Sequence, residues 1–206
     1  MTQLGSSTYE ATLKAKAQTV KTVCDALLAG DADAARAAGV NYAFVRPQRT
    51  KRAYNRKRAT AILLRDGFVD RYSGARVIFP GALFLLSTLL PDEFPSHPNW
   101  KMTETHMMYW ELFPELDHVN PLAAGGADTD DNLVTTSVLR NCIKANWTLE
   151  QLQWSKKPCG DLNEWDGLLG WFMRYIEKDS SPLTDKRLKN WHEAAKQALA
   201  EPAMRD

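Results

Sequence analysis

Cysteine is scarce in this sequence, and the little there is does not pair. Cys24, Cys142 and Cys159 are odd in number and widely spaced, which excludes a disulfide framework and any C-x-x-C zinc site made from cysteine alone. A reducing cytoplasm is the expected setting. Long apolar runs are missing as well. The longest stretch, from Val77 to Leu90, is interrupted by Pro80, Gly81, Ser87 and Thr88 and falls short of the roughly 18 to 20 residues that span a bilayer. No membrane association is expected. The opening residues, MTQLGSSTYE, lack the basic start and apolar run of a signal peptide, so no export is expected. A strong net charge is absent too, with 26 Lys and Arg against 25 Asp and Glu. By itself that balance argues against a nucleic-acid partner, because nucleic-acid-binding domains carry a basic excess.

What is present fits a globular chain. Its 206 residues, 44% apolar with seven Trp and seven Phe, can bury enough surface to offset chain entropy. One domain, or one compact core with helical additions, is the expected organisation. The even charge hides an uneven distribution. From Arg46 to Arg58 the chain reads RPQRTKRAYNRKR, which gathers Arg46, Arg49, Lys51, Arg52, Arg56, Lys57 and Arg58 without an acid, while Asp128, Asp130 and Asp131 cluster elsewhere. With Tyr54 interleaved, the basic run is a candidate for tracking a DNA backbone, since each phosphate neutralised adds salt-sensitive affinity. The plainer reading is a solvated helix face.

Periodicity places helices at both ends. Residues 7 to 29 read as a helix opened by a Ser7/Glu10 capping box and closed by Gly30. A short helix follows at 33 to 38, and Leu83 to Leu90 reads as another. Thr148 with Gln151 forms a capping box before a short helix. Asp161 with Glu164 predicts the start of a longer one, in which Leu162, Trp165, Leu168, Leu169, Phe172, Met173 and Ile176 make a core-facing stripe. A last helix, Leu183 to Leu199, carries Leu188, Trp191, Ala195 and Leu199 on one face. The expected divisions are residues 1–58 as a helical accessory region with the basic run, 59–154 as the functional core, and 155–206 as helices packed on it.

The chemistry concentrates in Leu116 to Trp147, LDHVNPLAAGGADTDDNLVTTSVLRNCIKANW. Leu116 to Val119 suits a short strand, Gly125 and Gly126 permit unusual loop dihedrals, and Leu133 to Thr135 is β-prone. Thr136 or Ser137 can cap a helix running to about Asn146. The result is a strand, loop, strand and helix on which Asp117 and Asn141 can converge as two oxygen ligands to a hard cation. Mg²⁺ suits such a pair, because it commonly takes one or two protein groups and completes its octahedron with water and phosphate oxygens. His118, the next residue on the strand, points to the opposite face. Its imidazole is a candidate to deprotonate a water near neutral pH.

The Asp-His-x-x-Pro, Gly-Gly, Asn-Leu-Val and Arg-Asn-x-x-Lys features together resemble the HNH, or ββα-metal, nuclease family, loosely over about residues 66–154. The resemblance implies that Asp117 binds metal, that His118 is the general base and that Asn141, in the third motif position, is the second metal ligand. Asn132, 14 residues after His118, would be the middle asparagine that braces the loop and orients the histidine. The motif is then H-N-N. Many relatives are propped by zinc-binding cysteine pairs. Here Arg71-Tyr-Ser-Gly74 stands roughly where one would be, so no structural zinc is expected and support must come from burial.

Lys144 and Arg140 lie beside Asn141 as candidate phosphate contacts, and His106 is a weaker candidate for the phosphate or metal. The resulting expectation is an α+β, mainly helical protein built around a ββα-metal unit. It would be a Mg²⁺-dependent endonuclease, with Mn²⁺ as an alternative metal, that cuts double-stranded DNA to 5′-phosphate and 3′-hydroxyl ends in a restriction or defence setting. Two strands need two cuts, which accommodates a homodimer without requiring one. The alternatives are a nonspecific or nicking toxin-like nuclease and a DNA-binding module without catalysis.

Overall fold

The computed structural model of the chain describes residues 4–40 and 55–200. Arg46, Arg49, Lys51 and Arg52 of the basic run lie outside them. Helices α1 (Leu4–Leu28) and α2 (Ala32–Gly39) pack chiefly on each other. Gly30 makes the reversal between them at φ +78, a left-handed conformation that a Cβ disfavours. Asp31 caps α2 by accepting the Ala34 N–H. Leu13, Val20, Leu27 and Leu28 of α1 stay exposed, so their spacing marks the helix without marking a core face.

Next come α3 (Arg56–Arg65), α4 (Pro80–Leu89) and α5 (Met108–Leu112), and then an antiparallel hairpin of β1 (Pro114–His118) and β2 (Leu133–Ser137). The chain continues through α6 (Val138–Lys144), α7 (Leu149–Leu152), α8 (Leu169–Lys178) and α9 (Lys186–Ala200). The class is α+β and mainly helical, and no helix among the described residues is long and apolar enough to cross a membrane. The Thr148/Gln151 capping box forms, and Ser137 caps α6 by accepting the Arg140 N–H.

The main core joins α3 and α4 to α8 and α9. Ala59, Leu63, Phe68, Phe79, Leu85, Phe172, Leu188 and Trp191 are buried within it. α4 begins earlier than its periodicity predicts, at Pro80, where a missing N–H is harmless because the first helical turn has no intrahelical acceptor for it. The long helix expected from Asp161 does not form. Asp161 turns back to the Asn163 N–H, Gly167 and Leu168 take positive φ, and the Asp166 carboxylate accepts from the N–H groups of Leu168 and Gly170. The helix therefore starts at Leu169, and Leu162 is exposed outside the stripe. On α9, Leu199 is exposed and Ala198 is buried in its place.

The hairpin is held from one edge by side chains. β1 pairs with β2 in a register that sets Asp117 opposite Val134 and His118 opposite Leu133. Alternate residues of a strand direct their N–H and C=O outward. On β2 those outward groups are met by the turn following α3: Asp66 accepts the Thr135 N–H at 2.7 Å, the Arg71 N–H donates to the Thr135 carbonyl, and Arg65 donates to the Leu133 carbonyl. Asp70 accepts the Ser137 N–H at 2.9 Å with one oxygen and the N–H groups of Tyr72 and Ser73 with the other. Two buried carboxylates thus tie β2 to the Arg71–Gly74 turn. Bracing at this position is polar as well as apolar, which sequence reasoning had assigned to burial alone.

Candidate active site

The connection from β1 to β2 is built on Asn132. Its Oδ1 accepts the Asn120 N–H at 2.8 Å, and its Nδ2 donates to the carbonyls of Asn120 and Ala127 at 2.9 and 2.7 Å. Three bonds from one amide close the loop. Gly126 sits inside that closure, where a Cβ would overlap the Asn120 carbonyl. Asn132 reaches His118 only through this loop, and the direct contact falls to another residue.

His118 is buried at the end of β1, and its Nε2 lies 3.0 Å from Asp128 Oδ1. This hydrogen bond, followed by the neighbouring Arg58 charge, holds the Asp128 carboxyl below the usual aspartate range. A carboxylate only accepts hydrogen bonds, so Nε2 carries a proton, and in the neutral imidazole Nδ1 presents its lone pair. Nδ1 is buried and has no hydrogen-bond partner among the described residues. Arg58 grips the same loop, donating to Asp130 and to the Asp128 carboxylate and carbonyl. These acids raise its already high pKa, the Asp130 hydrogen bond foremost. Arg58 is therefore engaged within the protein by the acids of this loop, with part of its side chain still exposed.

The other face of β1 carries Glu115 and Asp117 towards α6. Asp117 Oδ2 receives the Tyr72 hydroxyl at 2.6 Å and the Lys144 ammonium at 2.7 Å. Lys144 also donates to the His118 carbonyl at 2.8 Å and is fully buried, which removes it from the surface where a phosphate contact was expected. Burial first, and then the Asp117 charge, push the Tyr72 phenol well above its usual value, so it stays a neutral donor. Asn141 donates from Nδ2 to Glu115 Oε2 at 2.7 Å. An amide oxygen in that place would face a carboxylate, so the assignment is fixed and Asn141 Oδ1 turns elsewhere.

Among the described residues neither Asp117 Oδ1 nor Asn141 Oδ1 accepts a hydrogen bond. Two spare oxygens, one anionic and one neutral, are a donor set that fits a hard cation needing few protein ligands. The described residues hold no group of three or more His, Cys, Asp and Glu able to bind a metal. Comparison with models of protein families, with curated proteins and with solved structures finds no match.

Of the remaining candidates, the half-buried Arg140 lies over the Trp154 ring at 4.9 Å, and Arg56 lies over Trp191 at 5.7 Å. Lys57 enters the first turn of α3 behind the Asn55 cap. His106 stays in the turn before α5, where its Nδ1 accepts the Met108 N–H and its ring meets Phe94. Sequence reasoning missed Asp128, Tyr72 and Glu115. The acids of the 128–131 loop were noted only as charge, and nothing local announces a partner for Tyr72 that lies 45 residues away.

Proposed function

We propose that the hairpin and α6 form the catalytic unit of a metal-dependent DNA endonuclease of the HNH kind. The observation that carries the reading is the His118 imidazole, held at Nε2 by Asp128 while a buried Nδ1 has no partner among the described residues. A stranded buried polar atom costs roughly 1–3 kcal/mol. Such a cost is tolerated where a proton acceptor is needed. Asp117 and Asn141 would hold Mg²⁺, which when bound polarises the phosphate and stabilises the leaving 3′ oxygen.

His118 takes the proton of the attacking water at Nδ1, and Asp128 stabilises the imidazolium and fixes its orientation, in the manner of a carboxylate behind a catalytic histidine. Asn132 keeps the loop closed, so that Asp128 stays in range. Lys144 and Tyr72 each bond one oxygen of Asp117 and leave the other for the cation. The products are 5′-phosphate and 3′-hydroxyl ends on double-stranded DNA.

The test is a plasmid cleavage assay with the wild type and His118→Ala, with and without EDTA. Mg²⁺-dependent cutting by the wild type and its loss in the variant, with the fold and DNA binding retained, is the expected result. Undiminished cutting by His118→Ala, or full activity in EDTA, would sink the assignment. Discrete fragments would indicate sequence specificity and a smear its absence.

A further inference from the structure

A cavity of about 240 Å³ opens beside the start of β1, far larger than the roughly 10–15 Å³ that one water needs. The half-buried Phe84 and Trp100 supply its flat walls, the buried Trp191 borders it, and Arg56, Arg187 and Glu115 are its charged groups. A second hollow of about 100 Å³ shares Phe84, Trp100 and Arg187, so the cleft continues past the first cavity. Flat aromatic walls around a half-open space suit a planar heterocycle, since every nucleobase has a face to stack. The arginines are held by the walls themselves: Arg187 lies over Phe84 at 5.0 Å while bonding Asp185 at 2.9 Å, and Arg56 lies over Trp191.

Glu115 narrows the choice of base. Its Oε2 accepts from Asn141, whereas Oε1 accepts no hydrogen bond among the described residues. A carboxylate can only accept. Guanine alone among the bases presents two adjacent donors on its pairing edge, the ring N1–H and the exocyclic amine. Adenine and cytosine set an acceptor beside their amine, and thymine flanks its single N–H with two carbonyls. Guanine also carries the O6 and N7 acceptors that arginine pairs with.

We propose that this cleft binds a guanine base, stacked on its aromatic walls, with Glu115 on the N1 and N2 donors and an arginine on O6, N7 or the attached phosphate. The same carboxylate holds Asn141, so occupancy of the pocket is coupled to a candidate metal ligand. The base comes either from DNA, extruded from the stack at the cost of unpairing, or from a free guanine nucleotide. Only the first source rests on the nuclease reading.

The experiment is isothermal titration calorimetry of the full chain in EDTA with GMP, AMP, CMP and TMP. GMP should bind at least about tenfold more tightly than the others, the value of one charge-assisted hydrogen bond. Glu115→Gln should weaken GMP by a similar factor. Arg187→Ala, which removes an exposed side chain lying over Phe84, should weaken it too. A duplex carrying 2-aminopurine beside a guanine separates the sources: a rise in its fluorescence on binding assigns the pocket to an extruded base, and GMP binding without that rise assigns it to free nucleotide. Equal affinity for all four nucleotides, GMP binding unchanged in both variants, or neither GMP binding nor a fluorescence rise overturns the proposal. Plasmid cleavage without guanine preference rules out the extruded-base source and leaves the pocket to stand or fall on the GMP titration. Guanine binding without cleavage upholds the pocket and sinks the nuclease reading.

Discussion

Lys144 is a case of one residue whose type is informative and whose position reverses its expected use. Three residues after Asn141 on a short helix, it reads as a phosphate contact, yet its ammonium is buried against Asp117 Oδ2 and the His118 carbonyl. Removing one member of a buried ion pair costs about 3–5 kcal/mol, because the other charge is left without compensation. Lys144→Met should therefore destabilise the protein by about that amount in denaturant titrations, and adding Asp117→Asn should recover part of the loss. Additive losses in that double-mutant cycle would show that the pair does not act as a unit. Asp128 makes the complementary case. Asp128→Asn should lower kcat by up to about 10⁴-fold, the cost of the same exchange behind a catalytic histidine, with KM nearly unchanged. An equal rise in KM would assign Asp128 to substrate binding instead.

At the scale of elements, a two-stranded hairpin is marginal alone in water. β2 escapes that weakness because Asp66, Asp70, Arg65 and Arg71 meet its outer edge. Asp70→Ala would strand the N–H groups of Ser137, Tyr72 and Ser73 together. At roughly 1–3 kcal/mol for each buried donor left unmade, the two on buried residues, Ser137 and Tyr72, give an expected loss of at least about 2 kcal/mol, read as a lower denaturation midpoint at unchanged slope. Hydrogen exchange at Ser137 should rise in the same variant. A stability change within about 0.5 kcal/mol, typical of an ordinary surface substitution, would show that the hairpin does not rely on this carboxylate. The α8 boundary teaches the same lesson: the apolar stripe from Leu162 to Ile176 has helical spacing, but Asp166 and Gly167 start the helix only at Leu169.

Over the whole molecule, the core couples α3 and α4 to α8 and α9, and one ionisable group lies at that junction. The His192 ring stands against Phe172 with Glu193 and Lys196 as its charged neighbours. Burial, the largest influence, holds its pKa below the usual 6.5. The folded state therefore disfavours its protonation. That contribution to stability is complete above about pH 6.5 and is lost as pH falls through the depressed folded value. Melting temperature should fall on acidification from pH 7 towards pH 5, and His192→Phe should flatten the fall. The Asp128 carboxyl, also depressed, has its effect in a lower window: its contribution is present above about 3.9 and disappears as pH drops through its folded value. A wild-type melting curve unchanged between pH 7 and pH 5 would remove His192 from this account.

The sequence by itself determined the local features of this protein. The Thr148/Gln151 capping box, the Ser137 cap, the helix-hairpin-helix order and the Asp117, His118, Asn132 and Asn141 positions are all legible there, because each depends on neighbours a few residues away. Only the tertiary structure decided which charges are spent internally and which atoms are left over. Tyr72 meets Asp117 across 45 residues, Asp70 meets Ser137 across 67 and Arg58 meets Asp128 across 70. Contacts at such separations depend on the path of the whole chain, and composition and spacing carry no record of that path. The charge run at Arg56–Arg58 and the acids at 128–131 are visible in sequence as opposite clusters. That one would clamp the loop behind His118 follows from packing alone.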